Sequence, residues 1–164
     1  MSTRASIAIF RPNGEIEHIY VHWEGQPSAG IGSTLIDHHN SEERASDIVA
    51  LGDLSFLGRH LVPEEGKSHS AAHPLPGVTI AYHRDRKEPW EETKPQRSAS
   101  ISTWASQRID DGCEHLYIWR DDHWWYMSAW NQDLKEPLIE VLRRQRDQQH
   151  AAKSVGDATP QEDV

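Results

Sequence analysis

Several things are scarce in this sequence, and each scarcity removes a class of protein. A single cysteine, Cys113, excludes an intramolecular disulfide and points to a reducing compartment. No apolar run approaches the ~20 residues that a membrane-spanning helix needs. The opening MSTRASIAIF is too short and too polar to read as a signal peptide, so a cytoplasmic location is expected. Basic residues are in deficit: 17 Lys and Arg stand against 26 Asp and Glu, a net charge of −9. Phosphate binding needs clustered cations, and only Arg143, Arg144 and Arg146 form such a cluster, so general nucleic-acid binding is not expected. An acidic surface favours solubility or a basic protein partner.

What is present suits one domain. The 164 residues are enough for a single core, and with 36% hydrophobic residues that core must be concentrated in few segments, much of it in seven tryptophans. Residues 6–10 and 16–23 read as strands around Asn13-Gly14, the strongest short hairpin signal. In the second strand Ile19 and Val21 share the face expected to meet the core, with His18, Tyr20 and His22 on the other.

Glycines and Pro27 break that strand, and a short helix is expected to carry Asp37-His38-His39, with Ser28 as its N-cap. Asn40 and Glu43 read as a capping-box variant opening a second helix that stops at Gly52. Residues 54–76 read as a long loop, 78–83 as a third strand, 84–97 as a second loop and 100–109 as a helix. An aromatic hairpin over 114–119 and 124–129 and an amphipathic helix from Leu134 follow, with Pro137 in its first turn. The expected fold is α+β: a four- to five-stranded, mainly antiparallel sheet with helices packed on one side. The domain spans 1–148, and 149–164 read as a disordered acidic tail.

Three stretches resemble a widespread family of small proteins carried by bacteriophages, prophages and plasmids. They are the MSTRASIAIF start, the segment Ile19-Tyr20-Val21-His22-Trp23-Glu24-Gly25-Gln26-Pro27, and residues 48–58 with Leu-Gly-Asp-Leu-Ser-Phe-Leu-Gly. The family's motif is a Cys-His-Trp-Asp-Gly-Tyr-Pro run, in which Val21, Glu24 and Gln26 are departures here. Residues 82–86 and Trp125-Tyr126 extend the likeness over most of the first 130 residues. The resemblance implies a mobile-element protein, for which inhibition of a host defence system is a common role. It implies no particular activity.

The motifs that could carry chemistry are individually weak. His18 and His22 lie about 13 Å apart along a strand, too far to share one metal ion. His69 and His73 have helical spacing without a helical context, and Asp37-His38-His39 lacks the further aspartates of the phosphoesterases that carry this tripeptide. His83-Arg84-Asp85 lacks every other kinase element, and Cys113 and His115 are about 7 Å apart on a strand face. No metal site, cofactor or catalytic residue is assigned.

Three groups of binding residues remain. His22, Trp23 and Glu24 precede a strand-end glycine that builds a tight turn and exposes the acid. Arg84, Asp85 and Arg86 form a charged cluster at a strand end, suited to clamping a carboxylate or phosphate. Trp124 and Tyr126 share a strand face that, if exposed, would serve a protein interface, including a homodimer contact. The leading expectation is a non-enzymatic mobile-element binding protein that occupies a basic or nucleic-acid-binding host protein, an inhibitor of host defence. The alternative is a small-ligand-binding protein that sequesters a nucleotide-type signal through Trp23 or Trp90, Arg84 and Arg86.

Overall fold

The computed structural model describes residues 2–157, the side chains of 133, 134 and 154–157 excepted. Its elements run β1 Ala5–Phe10, β2 Ile16–Val21, α1 Ile31–His38, α2 Glu42–Ala50, β3 Leu54–Phe56, β4 Ile80–Ala81, α3 Tyr82–Arg86 and α4 Trp90–Thr93. They continue with β5 Gln96–Ser98, α5 Ile101–Asp110, β6 His115–Arg120, β7 His123–Ser128, β8 Asn131–Pro137 and α6 Leu138–Asp157. The chain is α+β, but the sheet has eight strands, ordered β4-β3-β2-β1-β6-β7-β8 with β5 also on β2. It is mixed, because β1 pairs with β6, and β2 with β3, in parallel. The four- to five-stranded, mainly antiparallel expectation is corrected on both counts. The strands it lacked are either very short, with three residues each in β3 and β5, or polar, as in β8.

Helices cover both faces of this sheet, not one. On the first face Ile7 and Ile9 of β1, Ile19 and Val21 of β2, and Trp119 and Trp124 join Leu35, Ile48 and Leu138 from α1, α2 and α6. On the second, Ala8, Ile16, Leu116 and Met127 pack on Trp104 and Ala105 of α5. Strand β1 therefore lies between two layers, which is why it reads as a nearly unbroken apolar and small-residue run. The second face looked polar because His18 and Ser6 lie on it, yet both are fully buried and hydrogen-bonded. The Ser6 hydroxyl donates to Ile19 O at 2.7 Å and accepts Trp104 Nε1–H at 2.9 Å.

Local stops explain the remaining differences. Residues 78–83 do not form one strand, because the Asp85 carboxylate accepts Ala81 N–H at 2.8 Å and opens α3 at Tyr82, which Lys87 closes in the left-handed region at φ 63°. Helix α2 takes its cap from Ser41, whose hydroxyl accepts Arg44 N–H, one residue beyond the expected Asn40. Gly30, not Ser28, caps α1. Pro137 ends β8, and α6 begins after it, so the helix expected from Leu134 starts later. Helix α6 runs through the expected boundary at 148, so 149–157 are helical; 158–164 lie outside the described residues.

The β6–β7 hairpin closes on Asp121-Asp122, at φ 53° and 64°, the backbone of a two-residue type I′ turn. Aspartate tolerates that region less well than Asn-Gly, and the two like charges adjoin. The double substitution Asp121→Asn, Asp122→Gly is expected to stabilise the fold by about 0.5–1 kcal/mol, read as a raised urea midpoint at unchanged m-value. A lowered midpoint would show that the turn charges serve the fold.

Candidate functional site

The segment after β2 is built backbone first. His22 N–H and Trp23 N–H donate to Leu54 O and Ser55 O, at 3.1 and 3.0 Å, extending the pairing with β3 past the strand end. Gly25 then crosses the start of β1, its N–H on Thr3 O at 2.8 Å; a Cβ there would stand 2.6 Å from that oxygen, so no other residue fits. The buried Tyr117 hydroxyl donates to Gly25 O at 2.7 Å. Glu24 O accepts Ile31 N–H, folding 24–30 back onto α1. Two non-glycine residues of this loop, Glu24 at φ 60° and Ala29 at φ 55°, are left-handed, a strain of roughly 1–2 kcal/mol each.

This loop forms one wall of a cleft of about 710 Å³, lined by Trp23, Glu24, Ser33, Thr34, Phe56 and Ile80 among others. Trp23 is 44% exposed at its rim, edge-on to the His22 ring with 4.7 Å between centroids. His22 does not line the cleft. Its Nδ1 lies 2.8 Å from the Tyr20 hydroxyl, and desolvation, then Arg4 and Arg86, hold its pKa below the usual imidazole value.

The other residues expected at a site are committed elsewhere. Arg84 binds Asp85 through two nitrogens, at 3.0 and 2.9 Å, and donates to Leu61 O and Thr79 O at 2.7 and 2.8 Å. It clamps the long 57–79 connection to α3, with buried His69 alongside: His69 Nε2 donates to Thr79 O and Nδ1 accepts Leu75 N–H, each at 3.0 Å. Arg86 lies over the Tyr82 ring and pairs with Glu88 at 3.1 Å. Trp124 is 1% exposed, with its Nε1–H on His39 O, and Tyr126 is partly buried with its hydroxyl 2.6 Å from His115 Nδ1. Neither forms the exposed aromatic face envisaged from the sequence. Trp90 lies against His83 and is absent from the cleft lining, so the residues of the nucleotide-type reading do not converge on it.

Sequence reasoning missed a buried polar network on the second sheet face. Arg108 Nε donates to His18 Nδ1 at 3.0 Å, and the opposite nitrogen donates to Ser98 Oγ at 2.9 Å. Burial, then Arg108, lowers the His18 pKa to about 3. Burial pushes the Cys113 thiol up to about 12, the opposite of an activated nucleophile. Among the described residues no group of three or more His, Cys, Asp or Glu could hold a metal ion, and no helix is long and apolar enough to cross a membrane. Phe56 and Ile80 of the cleft were also missed: Phe56 comes from a strand of three residues within an expected loop, and Ile80, though in an expected strand, reaches the cleft only through pairing with β3. Comparison with protein-family models, curated proteins and solved structures finds no match.

Two outcomes are expected from these placements. His18, His39 and His115 have pKa values lowered chiefly by burial, to about 3, 4 and 4, from 6.5. The folded chain thus binds fewer protons than the unfolded one, and their contribution, complete above pH 6.5, is lost as pH falls toward those values. Asp53, raised to about 6 by burial, works in the opposite sense between that pH and its usual value, offsetting one imidazole. Stability should fall below pH 6.5, by up to about 3 kcal/mol per pH unit between pH 6 and 4. Urea titrations at pH 7, 6 and 5 that gave one midpoint would contradict it. Secondly, Arg84→Ala should release the 57–79 connection, seen as faster limited proteolysis there with the remaining amides still protected from exchange.

Proposed function

We propose that this chain is a non-enzymatic binding protein of a phage-type mobile element, acting in the cytoplasm by occupying a basic host protein, in the manner of a defence inhibitor. The observation that carries the reading is Trp23: a 44% exposed tryptophan at the mouth of a strained-loop cleft, its ring edge-on to His22, on a chain of net charge −9. Tryptophans held in this way are the residues that dominate protein interfaces. The resemblance of residues 19–27 and 48–58 to mobile-element proteins supplies the biological setting. The chemistry of the remaining groups favours binding over catalysis. His18 and His39 have both ring nitrogens engaged internally. The acidic surface would steer the encounter with a basic partner.

The test is capture from a bacterial host lysate at low and moderate salt, using wild-type protein and Trp23→Ala. The expected result is a salt-sensitive protein partner that the variant retains at least tenfold less well, since truncation of such an anchor costs about 2 kcal/mol or more. A wild-type protein that retains no protein at either salt, or that yields an extracted nucleotide instead, would overturn the reading.

A further inference from the structure

The residues of the Trp23 cleft also specify what kind of group enters it. This deepening rests on the binding reading above. The first observation is charge. Among the described residues Glu24 is the one charged residue that lines the cleft, and no Lys or Arg does. Among the described residues Glu24 has no cationic partner; its Oε2 accepts only the neutral Gln26 amide at 3.1 Å.

The second observation is the state of the hydrogen-bond donors. A helix N-terminus at a cleft wall ordinarily offers free N–H groups to an anion. Here those of α1 are taken: Ile31 N–H donates to Glu24 O, Gly32 to Gln26 O, Ser33 to Pro27 O and Thr34 to Gly30 O. The hydroxyls follow suit, with Ser33 Oγ donating to Pro27 O at 3.1 Å and Thr34 Oγ1 to Gly30 O at 3.0 Å. The helical part of the wall therefore offers no free donor to an anion. An anion would meet a carboxylate and a helix end whose N–H groups are already used, whereas a donor-rich cation finds both a carboxylate and a tryptophan.

We infer that the cleft receives an arginine side chain of the basic partner, its guanidinium stacked on the Trp23 indole and hydrogen-bonded to the Glu24 carboxylate. A guanidinium suits this pair better than an ammonium, because it is planar, stacks on aromatic faces and donates two parallel hydrogen bonds to a carboxylate. Its apolar stem would lie along Phe56 and Ile80. The left-handed backbone at Glu24 turns the chain at the cleft wall, where the Gln26 amide donates to the carboxylate at 3.1 Å.

The test uses isotope-labelled full-length protein titrated with acetyl-Gly-Gly-Arg-Gly-Gly-amide and with the same peptide carrying citrulline, the uncharged isostere. The Trp23 indole resonance is assigned by its loss in Trp23→Phe. A saturable shift of that resonance is expected, with affinity at least fivefold weaker for citrulline and for Glu24→Gln. Thr34→Lys, which sets an ammonium in the cleft, should abolish the shift. Citrulline binding as well as arginine, or shifts spread without saturation over the acidic surface, would overturn the assignment. A lysate partner lost in Trp23→Ala but indifferent to Glu24→Gln would overturn it while leaving the binding reading intact. Arginine binding with no lysate partner at all would do the reverse.

Discussion

One carboxylate holds the middle of this fold together. Strand β2 shares its outer edge between two short strands: β5 pairs with residues 16–18 and β3 pairs at Val21. The Tyr20 N–H falls in the gap between them, where no strand can accept it. Asp53 Oδ1 accepts a hydrogen bond from that N–H at 2.9 Å, while Asp53 N–H donates to Thr93 O at 2.7 Å and Asp53 O accepts Tyr82 N–H at 3.0 Å. One residue thereby joins β2, the start of α3 and the end of α4. Desolvation raises its pKa to about 6 against the pull of the Tyr20 N–H and Arg108, as expected for a carboxylate kept largely from water to satisfy a backbone donor. Gly52 allows the approach: it sits at φ 80°, and a Cβ there would collide with Thr93 O.

The arrangement around Asp53 gives the Leu-Gly-Asp-Leu run a structural meaning, and it also accounts for the second helical layer. With β5 held beside β2, Ser98 faces His18, and Arg108 of α5 completes the bridge from the helix to the sheet. The Arg108 guanidinium is 3% exposed; its Nε donates to His18 and its Nη1 lies 3.6 Å from Asp111, while its Nη2 is buried without a partner, so losing the imidazole would leave more of the charge unsatisfied, at a cost of about 1.5–3 kcal/mol. The network does not outdo a hydrophobic layer in strength. It specifies register: α5 can slide along the sheet only by unpairing Arg108 from His18 and Trp104 from Ser6.

These polar bridges mark where sequence reading stops. The Asn13-Gly14 hairpin, the aromatic hairpin, α1, α2 and α5 were legible, because turn chemistry and side-chain period act over neighbouring residues. Strand β4 was legible in place but not in extent: of the expected 78–83 only Ile80–Ala81 form it, because the Asp85 carboxylate accepts Ala81 N–H and turns the chain into α3. The polar face of β2 suggested solvent; the groups that satisfy His18 lie 80 and 90 residues away, so its burial has no local signature. The candidate site divides in the same way. Trp23 and Glu24 stand out from their motif, but Phe56 and Ile80 reach the cleft only through the parallel pairing of β2 with β3 and the bulged pairing of β3 with β4. Arg84 and Asp85 were conspicuous for charge, and that charge is spent on tying down a loop.

The exposure of Trp23 is best understood from what the fold does not ask of it. The backbone of 22–25 is held by Leu54, Ser55 and Thr3 through main-chain bonds, which any side chain at 23 would permit. Trp104 and Trp124, by contrast, are buried with their indole N–H groups bonded, and so contribute to both packing and polar satisfaction. Trp23 leaves much of a large apolar surface in water, worth roughly 25 cal/mol for each Å² that a partner could cover. The His22 ring packs against it, and the main-chain bonds of residues 22–25 fix the backbone that carries it before any partner arrives. Less conformational entropy is then lost on binding, and more of that buried area appears as affinity. A scaffold that leaves this indole uncovered at a cleft rim, beside a carboxylate with no cationic partner among the described residues, is organised for contact with something outside itself.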